Sequence, residues 1–201
     1  MLKWMLCIGL VLTSPLAAEL KVLAFSGSTQ IDSLNKKFVH QAAKIAEEMG
    51  AKVQIIDLRD YSIPFYDGDL ENAKGLPENA KKLRQLMMES QAIIISTPEY
   101  NGSLSGVLKN AIDWVTRNEQ GKPSRDAFAG KKFAILSASP SPSGGSHALD
   151  HLRAVIEGVG GKVVSEQVAL SNAHQAFDSQ GNLQDPIIKE KLKKEIQELL
   201  H

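Results

Sequence analysis

The stretch AIIISTPEYNGSLSGVLKNAIDW, residues 92–114, contains two kinds of apolar pattern within one short segment. Its first four residues form a continuous apolar run, which is typical of a strand buried on both faces of a sheet. From Leu104 onward the apolar residues recur at helical spacing. Between the two patterns lie hydroxyls, a proline, an acid, an aromatic and an amide, which is a richer mixture than a simple connection needs. The segment therefore predicts a buried strand, a functional loop and an amphipathic helix, in that order.

The same alternation extends along the rest of the chain. Apolar runs predict five strands, over Lys21–Ser26, Lys52–Leu58, Ala92–Thr97, Lys131–Ser137 and Lys162–Val168. Helical patterns follow them, over Leu34–Met49, Pro77–Glu89, Leu104–Val115, His147–Val159 and Pro186–Leu200. Strands that alternate with helices indicate parallel pairing and right-handed crossovers. We therefore predict one α/β domain over residues 19–201, a three-layer α/β/α sandwich with a five-stranded parallel sheet, whose ligands bind beyond the carboxyl ends of the strands.

The composition is that of an ordinary single-domain globular protein. The chain has 201 residues, of which 43% are hydrophobic and 23% charged, so it is long enough for one domain and short for two. Its 23 basic and 23 acidic side chains give a formal net charge of zero. A nucleic-acid binder needs surplus positive charge, and a small acidic electron carrier needs a negative face. Both classes are disfavoured, and we expect no nucleic-acid partner.

Residues 1–18 have the pattern of a Sec-type signal peptide. A basic residue, Lys3, precedes the apolar run Trp4–Leu12, and small residues end the segment. The run is shorter than the ~20 residues that span a bilayer, so no stable membrane span is predicted. Cleavage before Glu19 gives an exported protein, periplasmic or secreted, without the single cysteine, Cys7, and so without disulfides or a thiol nucleophile. The alternative is an uncleaved extension on a cytoplasmic protein.

The loop after the first predicted strand, SGSTQIDSLNK at residues 26–36, favours an anion site. Ser26, Ser28 and Ser33 supply hydroxyls, and the following helix begins near Ser33. Backbone N–H groups at a helix start bind anions without a basic residue. The loop matches neither the dinucleotide fingerprint nor the Walker pattern, so it suits a single phosphate. The alternative is a serine-rich turn that only caps the helix.

The loop after the third predicted strand favours a planar ligand. Pro98 stiffens the exit of the strand, and Gly102 lets backbone approach closely. Tyr100 presents a flat face, and Asn101 both donates and accepts hydrogen bonds. Main-chain groups in this segment can match the polar edge of a heterocycle. Ser103 or Ser105 is expected to cap the next helix.

The loop after the fourth predicted strand, residues 137–153, is a candidate third wall that begins at Ser137 and Ser139. The alternative is a flexible Ser/Pro/Gly linker. His147 and His151 have the i, i+4 spacing of zinc ligands, but Ala148 replaces the glutamate of H-E-x-x-H. Gly144 to Ala148 only faintly matches a nucleophile elbow and lies well past the strand end. We therefore predict neither a metal site nor a serine nucleophile.

Together these stretches resemble the NADPH-dependent FMN reductase family, a flavodoxin-like group that includes FMN, azo-dye, quinone and chromate reductases. The similarity covers about residues 20–200 and is strongest in SGSTQIDSLNK, IPFYDGDLE, PEYNGSLSGVLKNAIDW and SGGSHALDHLR. It implies a flavodoxin-like fold, an FMN cofactor and NADPH or NADH as co-substrate. It also implies a small-molecule electron acceptor such as flavin or quinone, and a homodimer or homotetramer in which Tyr66 and residues 67–71 belong either to the interface or to a solvated loop.

The resemblance also implies which residues hold the cofactor. The first loop surrounds the FMN phosphate, the second edges the isoalloxazine ring, and the third lies behind it. The predicted cofactor-binding residues are Ser26, Ser28, Gln30, Ser33, Leu34, Asn35, Pro98, Glu99, Tyr100, Asn101, Gly102 and Ser137. The family usually has arginine where this chain has Gln30, and losing that charge-assisted contact predicts weaker FMN binding, by about tenfold to a hundredfold.

The implied reaction passes a hydride from the nicotinamide to the flavin and then electrons to a second acceptor. No side chain has to act as acid, base or nucleophile, so no catalytic residue is predicted. Three alternatives stay open: an FMN-binding electron carrier without nicotinamide activity, a degenerate exported binding protein that has lost its flavin, and an exported flavoprotein reduced by another donor.

Overall fold

The computed structural model describes residues 19–201, where helices flank a mostly parallel sheet. The predicted signal segment, residues 1–18, lies outside the described residues. The strands are β1 Lys21–Ser26, β2 Lys52–Asp57, β3 Ala92–Ser96, β4 Glu99–Tyr100, β5 Ser103–Leu104, β6 Lys132–Ala138, β7 Lys162–Val163 and β8 Val168–Leu170. The helices are α1 Leu34–Glu48, α2 Gly68–Lys74, α3 Glu78–Glu89, α4 Gly106–Val115, α5 Ser146–Gly158 and α6 Pro186–Leu200, with 3₁₀ turns at Leu58–Asp60 and Ala173–Gln175.

The main sheet has the order β2-β1-β3-β6, with β7 and β8 both paired to the outer edge of β6. Every pairing in it is parallel. The predicted α/β three-layer class is therefore confirmed. The winding reverses direction between β1 and β3, whose last residues, Ser26 and Ser96, are register partners. Their carboxyl ends form the crevice where doubly wound sheets bind ligands.

The prediction of one continuous fifth strand is wrong. The segment between β7 and β8 leaves the sheet, and the Glu195 carboxylate of α6 takes its place by accepting a hydrogen bond from the Ile135 N–H at 2.8 Å. The Arg153 guanidinium donates a hydrogen bond to the Val164 carbonyl at 2.8 Å, and the Glu198 carboxylate accepts one from the Ser165 N–H at 2.9 Å. Polar groups of two helices therefore satisfy the backbone where the strand is interrupted.

The two sheet faces have separate cores because successive strand residues point to opposite faces. On one face, Ala92 and Ile94 of β3 belong to a core that includes α1 and α6. On the other face, Ile93 and Ile95 belong to a core that includes α3, α4 and α5. All four side chains are at most 2% exposed, so the continuous apolar run is explained by burial on both sides.

Two local features differ from the predictions. β4 and β5 form a separate antiparallel hairpin, in a segment predicted as a loop and, at Leu104, as the start of a helix. Residues 68–74 form α2, which Asp67 caps through its carboxylate, in a segment for which no helix was predicted. Of the two residues predicted to cap α4, Ser103 and Ser105, the structure has Ser105 as the cap. Among the described residues, the helices lack the length and apolar character needed to cross a membrane.

Candidate functional site

A cleft of about 280 Å³ lies at the carboxyl ends of β1, β3 and β6. It contains eight of the predicted cofactor-binding residues, namely Ser28, Gln30, Ser33, Leu34, Asn35, Pro98, Glu99 and Tyr100. Asp32, Ala138, Ser139 and Pro140 complete the lining. The fold therefore brings the three predicted loops together at the point where the winding reverses.

The first loop is held in shape by its own serines. The Ser28 N–H donates to the Ser26 hydroxyl at 3.2 Å, and the Gln30 N–H donates to the Ser28 hydroxyl at 3.3 Å. Ser26, which was predicted to bind the cofactor, is buried beneath the loop and is not part of the cleft lining. Because the Ser28 hydroxyl accepts this bond, its own proton stays available for a ligand.

The start of α1 is open toward the cleft. Ser33 occupies the N-cap position in extended conformation, but its hydroxyl makes no capping hydrogen bond. The other helices at this edge are capped: α4 by the Ser105 hydroxyl and α5 by the Glu99 carboxylate. In the described chain, α1 is thus the helix at this edge whose first-turn N–H groups receive no side-chain acceptor, which leaves them free for an anion.

Asn35 lies at the cleft, but its side chain is used within the fold. Its amide group donates to the Ala138 carbonyl at 2.8 Å, and its oxygen accepts from the Ala138 N–H at 2.9 Å and from the Ser96 hydroxyl at 2.8 Å. The side chain is therefore occupied, and Asn35 can contribute to an anion site only through its backbone N–H in the first turn of α1. Asn35 ties α1 to the ends of β3 and β6, which fixes the shape of the cleft.

The second loop is a tight hairpin. Tyr100 pairs with Ser103, and the two residues between them have positive φ angles, 52° at Asn101 and 74° at Gly102. These are the conformations that a two-residue Asn-Gly hairpin turn requires. A Cβ at Gly102 would meet nothing within 4 Å, so the glycine is explained by its φ angle rather than by close packing. Asn101 and Gly102 lie at the tip, outside the cleft lining.

Helix α5 holds this hairpin through Glu99. One carboxylate oxygen accepts from the Ala148 N–H at 3.3 Å, and the other lies 3.3 Å from His147 Nδ1. On β5, the Ser103 hydroxyl lies 3.0 Å from His151 Nδ1. The two histidines thus contact different partners rather than one shared point. The Glu99 carboxylate is directed to α5, so the main chain of Glu99 is the part available to edge a ring.

The third loop is hydrogen-bonded to the end of β8 and the residues after it: the Ser139 N–H donates to the Leu170 carbonyl and the Ala173 N–H donates to the Ser139 carbonyl, each at 3.0 Å. The hydroxyls of Ser139, Ser141 and Ser143 form a chain with oxygen separations of 3.0 and 2.8 Å. Ser137 lies behind the wall, fully buried, and its hydroxyl has no hydrogen-bond partner. Ser137, which was predicted to bind the cofactor, is therefore not part of the cleft lining. A Cβ at Gly145 would lie 2.0 Å from this hydroxyl, so only glycine fits there.

The charges around the cleft are unusual for an anion site. Its lining includes the carboxylates of Asp32 and Glu99 but no lysine or arginine. Lys37 is paired with Asp32 at 2.6 Å, and Lys36 is paired with Asp57. Partial burial raises the pKa of Asp57, but hydrogen bonds from Lys36 and from the Arg59 N–H outweigh it and lower that pKa. Both lysines near the start of α1 are thus already paired with an aspartate.

The segment around Tyr66 is exposed to solvent and is anchored to the fold by several hydrogen bonds. The Tyr66 hydroxyl donates to the buried Glu71 carboxylate at 3.0 Å, and Arg117 Nε donates to the same carboxylate at 2.8 Å. The hydrogen bond from Arg117 is the main reason that the pKa of Glu71 is lowered. Trp114 Nε1 donates to the Pro64 carbonyl at 2.8 Å. Phe65, between these anchors, is 80% exposed.

The sequence reasoning missed Asp32, Ala138 and Pro140 in the lining, and Arg59 beside the first loop. Arg59 donates through Nη1 to the Thr29 carbonyl at 3.1 Å. The carboxyl ends of parallel strands meet at one edge, so the end of β2 was the signal available for Arg59. Nothing in the spacing of Ala138 and Pro140 distinguishes them from an ordinary connection.

Comparison with known proteins gives one consistent family. The family model described as NADPH-dependent FMN reductase matches residues 20–175. The NAD(P)H-dependent FMN reductase PA1204 of Pseudomonas aeruginosa is 35% identical over 182 residues, covering 90% of this chain and 94% of that protein. The NADPH:quinone oxidoreductase of Arabidopsis thaliana is 31% identical over 179 residues, covering 87% of each.

Solved structures agree with this result. The flavoenzyme FerB, an NAD(P)H:(acceptor) oxidoreductase from Paracoccus denitrificans, superimposes with a TM-score of 0.74 at 28% identity, covering 90% of this chain and 97% of that one. Fold, cleft position and sequence similarity therefore lead to the same assignment. The chain belongs to the NADPH-dependent FMN reductase family.

Proposed function

We propose that the chain is an FMN-binding, NAD(P)H-dependent oxidoreductase that reduces free flavin, quinone or similar small acceptors. The observation that carries this proposal is the cleft at the winding reversal, where the open start of α1 faces the hydroxyls of the first loop. Relatives named as FMN reductase and quinone oxidoreductase support the reaction class.

The residues present fit FMN. The phosphate suits the Ser28 and Ser33 hydroxyls and the first-turn N–H groups of α1, which lack side-chain acceptors. The main chain of Pro98 to Tyr100 offers hydrogen-bonding groups along the opposite wall, beside the exposed ring of Tyr100. When bound there, FMN supplies the chemistry that connects a nicotinamide donor to a second acceptor. The protein contributes binding and orientation.

The direct test uses purified protein spanning residues 19–201. Titration with FMN, followed by flavin fluorescence and by calorimetry, is expected to show saturable binding. Steady-state oxidation of NADPH and NADH is then measured with added FMN or a quinone. Binding without nicotinamide oxidation would instead identify an electron carrier. Absence of binding by either method, in protein whose fold circular dichroism verifies, would identify a degenerate binding protein and overturn the proposal.

We further propose that the chain forms a homodimer or homotetramer. Phe65 and Tyr66 are 80% and 40% exposed on the segment anchored by Glu71, and large exposed aromatic side chains are typical of interfaces. Light scattering coupled to gel filtration is expected to give a multiple of the chain mass, and Phe65→Ser to shift it toward the monomer. A monomeric mass for the unmodified chain at micromolar concentration would exclude this.

The N-terminal pattern supports export. We propose that residues 1–18 direct the chain across a membrane and are then removed, which leaves the FMN-binding domain periplasmic or secreted. Fusion of alkaline phosphatase after residue 25 is expected to be active, since this reporter folds only outside the cytoplasm. A fusion carrying Leu10→Arg, which breaks the apolar run, is the matched control. Equal activity of both fusions would favour a cytoplasmic protein.

A further inference from the structure

Arg59 lies beside the first loop although it comes from a different strand. It belongs to the 3₁₀ turn Leu58–Asp60 that follows β2, and its backbone N–H donates to the Asp57 carboxylate at 2.9 Å. Its Nη1 donates to the Thr29 carbonyl at 3.1 Å. The guanidinium is therefore hydrogen-bonded to Thr29, the residue directly before Gln30, which lines the cleft.

The charges near the cleft leave Arg59 as the available cation. The cleft lining has two carboxylates and no basic side chain. Lys36 and Lys37 are each paired with an aspartate. Arg59, in contrast, forms no ion pair within residues 19–201, and a guanidinium has five N–H donors, of which the Thr29 contact uses one. A phosphate monoester carries about −1.5 to −2 charges, so the guanidinium beside the loop, which also interacts electrostatically with Asp57, attracts it.

We propose that Arg59 is the cationic member of the phosphate subsite, reaching it from the end of β2 while the loop serines and the start of α1 supply uncharged donors. This inference rests on the proposed function, since it assumes that the cleft takes FMN. It assigns a specificity role: Arg59 favours the phosphorylated flavin over riboflavin, which has the same ring and no phosphate.

The test compares FMN with riboflavin in equilibrium titrations that follow flavin fluorescence. Arg59→Gln is expected to raise the Kd for FMN about tenfold, the effect of one charge-assisted contact at an exposed site, and to change the Kd for riboflavin less than twofold. The dependence of FMN affinity on salt is expected to weaken in the same variant. Arg125→Gln removes an equal charge from another exposed arginine, outside the cleft lining, and is the matched control.

A second substitution separates a phosphate role from a folding role. Gln30→Arg places a cation in the cleft lining itself, so the double variant Arg59→Gln/Gln30→Arg is expected to regain the lost FMN affinity. Equal losses for FMN and riboflavin, an unchanged FMN Kd in Arg59→Gln, or failure of the rescue would each overturn the proposal. Failure of the unmodified chain to bind either flavin would instead overturn the proposed function.

Discussion

Gln30 is an uncharged side chain in the lining of a cleft that also contains Asp32. Replacing it alone by arginine adds a charge-assisted donor toward the proposed phosphate position. We expect Gln30→Arg to lower the Kd for FMN by about tenfold to a hundredfold, measured by fluorescence titration. Gln30→Glu, which adds the opposite charge, is the control and is expected to weaken binding. If neither substitution changed the Kd for FMN, the phosphate would have to bind away from residue 30.

Glu195 is a fully buried acid on α6, and one of its carboxylate oxygens has no hydrogen-bond partner. Burial raises the pKa of this carboxyl well above its usual range, despite the hydrogen bond from the Ile135 N–H. Glu166 and Glu198 add to the increase, and Arg153 opposes it. The carboxyl therefore stays protonated in the folded chain at pH values where the unfolded chain has lost the proton.

The raised pKa of Glu195 makes the free energy of unfolding depend on pH in a defined direction. Between about pH 4.3, the ordinary glutamate value, and the raised pKa, the folded state binds more protons, so the free energy of unfolding decreases as pH rises. Glu195→Gln mimics the protonated form and is expected to remove that decrease, making the variant at least as stable as the unmodified chain at pH 7. Urea unfolding at pH 5 and pH 7 measures this, with Glu157→Gln on exposed α5 surface as control. An unchanged pH dependence would show that Glu195 is ionised in the fold.

At the scale of elements, the hairpin β4–β5 depends on its contacts with α5. Glu99 caps the first turn of α5, and removing a cap costs about 0.5–2 kcal/mol. We expect Glu99→Ala to destabilise the chain by about 1 kcal/mol and to accelerate amide hydrogen exchange in residues 99–105 and 146–149. Glu99→Gln keeps an acceptor and is expected to have a smaller effect. Exchange that stays unchanged in Glu99→Ala would show that the hairpin is held by other contacts.

The elements that sequence reasoning predicted correctly are those with strong periodic patterns. The long amphipathic helices α1 and α6 and the apolar strand β3 agree with their predicted positions, with boundaries shifted by at most two residues. The hairpin was missed because its strands have two residues each, too few for any alternation to be visible. Helix α2 was missed because it is short and mostly polar, and because the ion pair that joins it to the fold, Glu71–Arg117, connects residues distant in sequence.

For the whole molecule, FMN that binds only the folded chain raises its stability by mass action. At a concentration about one hundred times the Kd, the gain is about 2.7 kcal/mol, which corresponds to an increase in Tm of roughly 5–11 °C for a chain of this size. Thermal unfolding with and without FMN measures it. Riboflavin at the same concentration is expected to give a smaller increase, since it lacks the phosphate. A Tm independent of FMN concentration would contradict cleft binding.

Apolar periodicity and the alternation of strands and helices were enough to predict the α/β class and the position of the cleft, because they leave few topologies and all parallel strands end at one edge. Which side chains face a ligand depends instead on contacts that form in the folded chain. The side chains of Asn35 and Glu99 could both bind a ligand by hydrogen bonds. In the fold, however, the Asn35 side chain bonds to the Ala138 main chain and the Glu99 carboxylate bonds to the start of α5. Arg59 lies beside the first loop because β2 pairs with β1. Such outcomes depend on contacts between residues far apart in the chain, which local patterns do not encode.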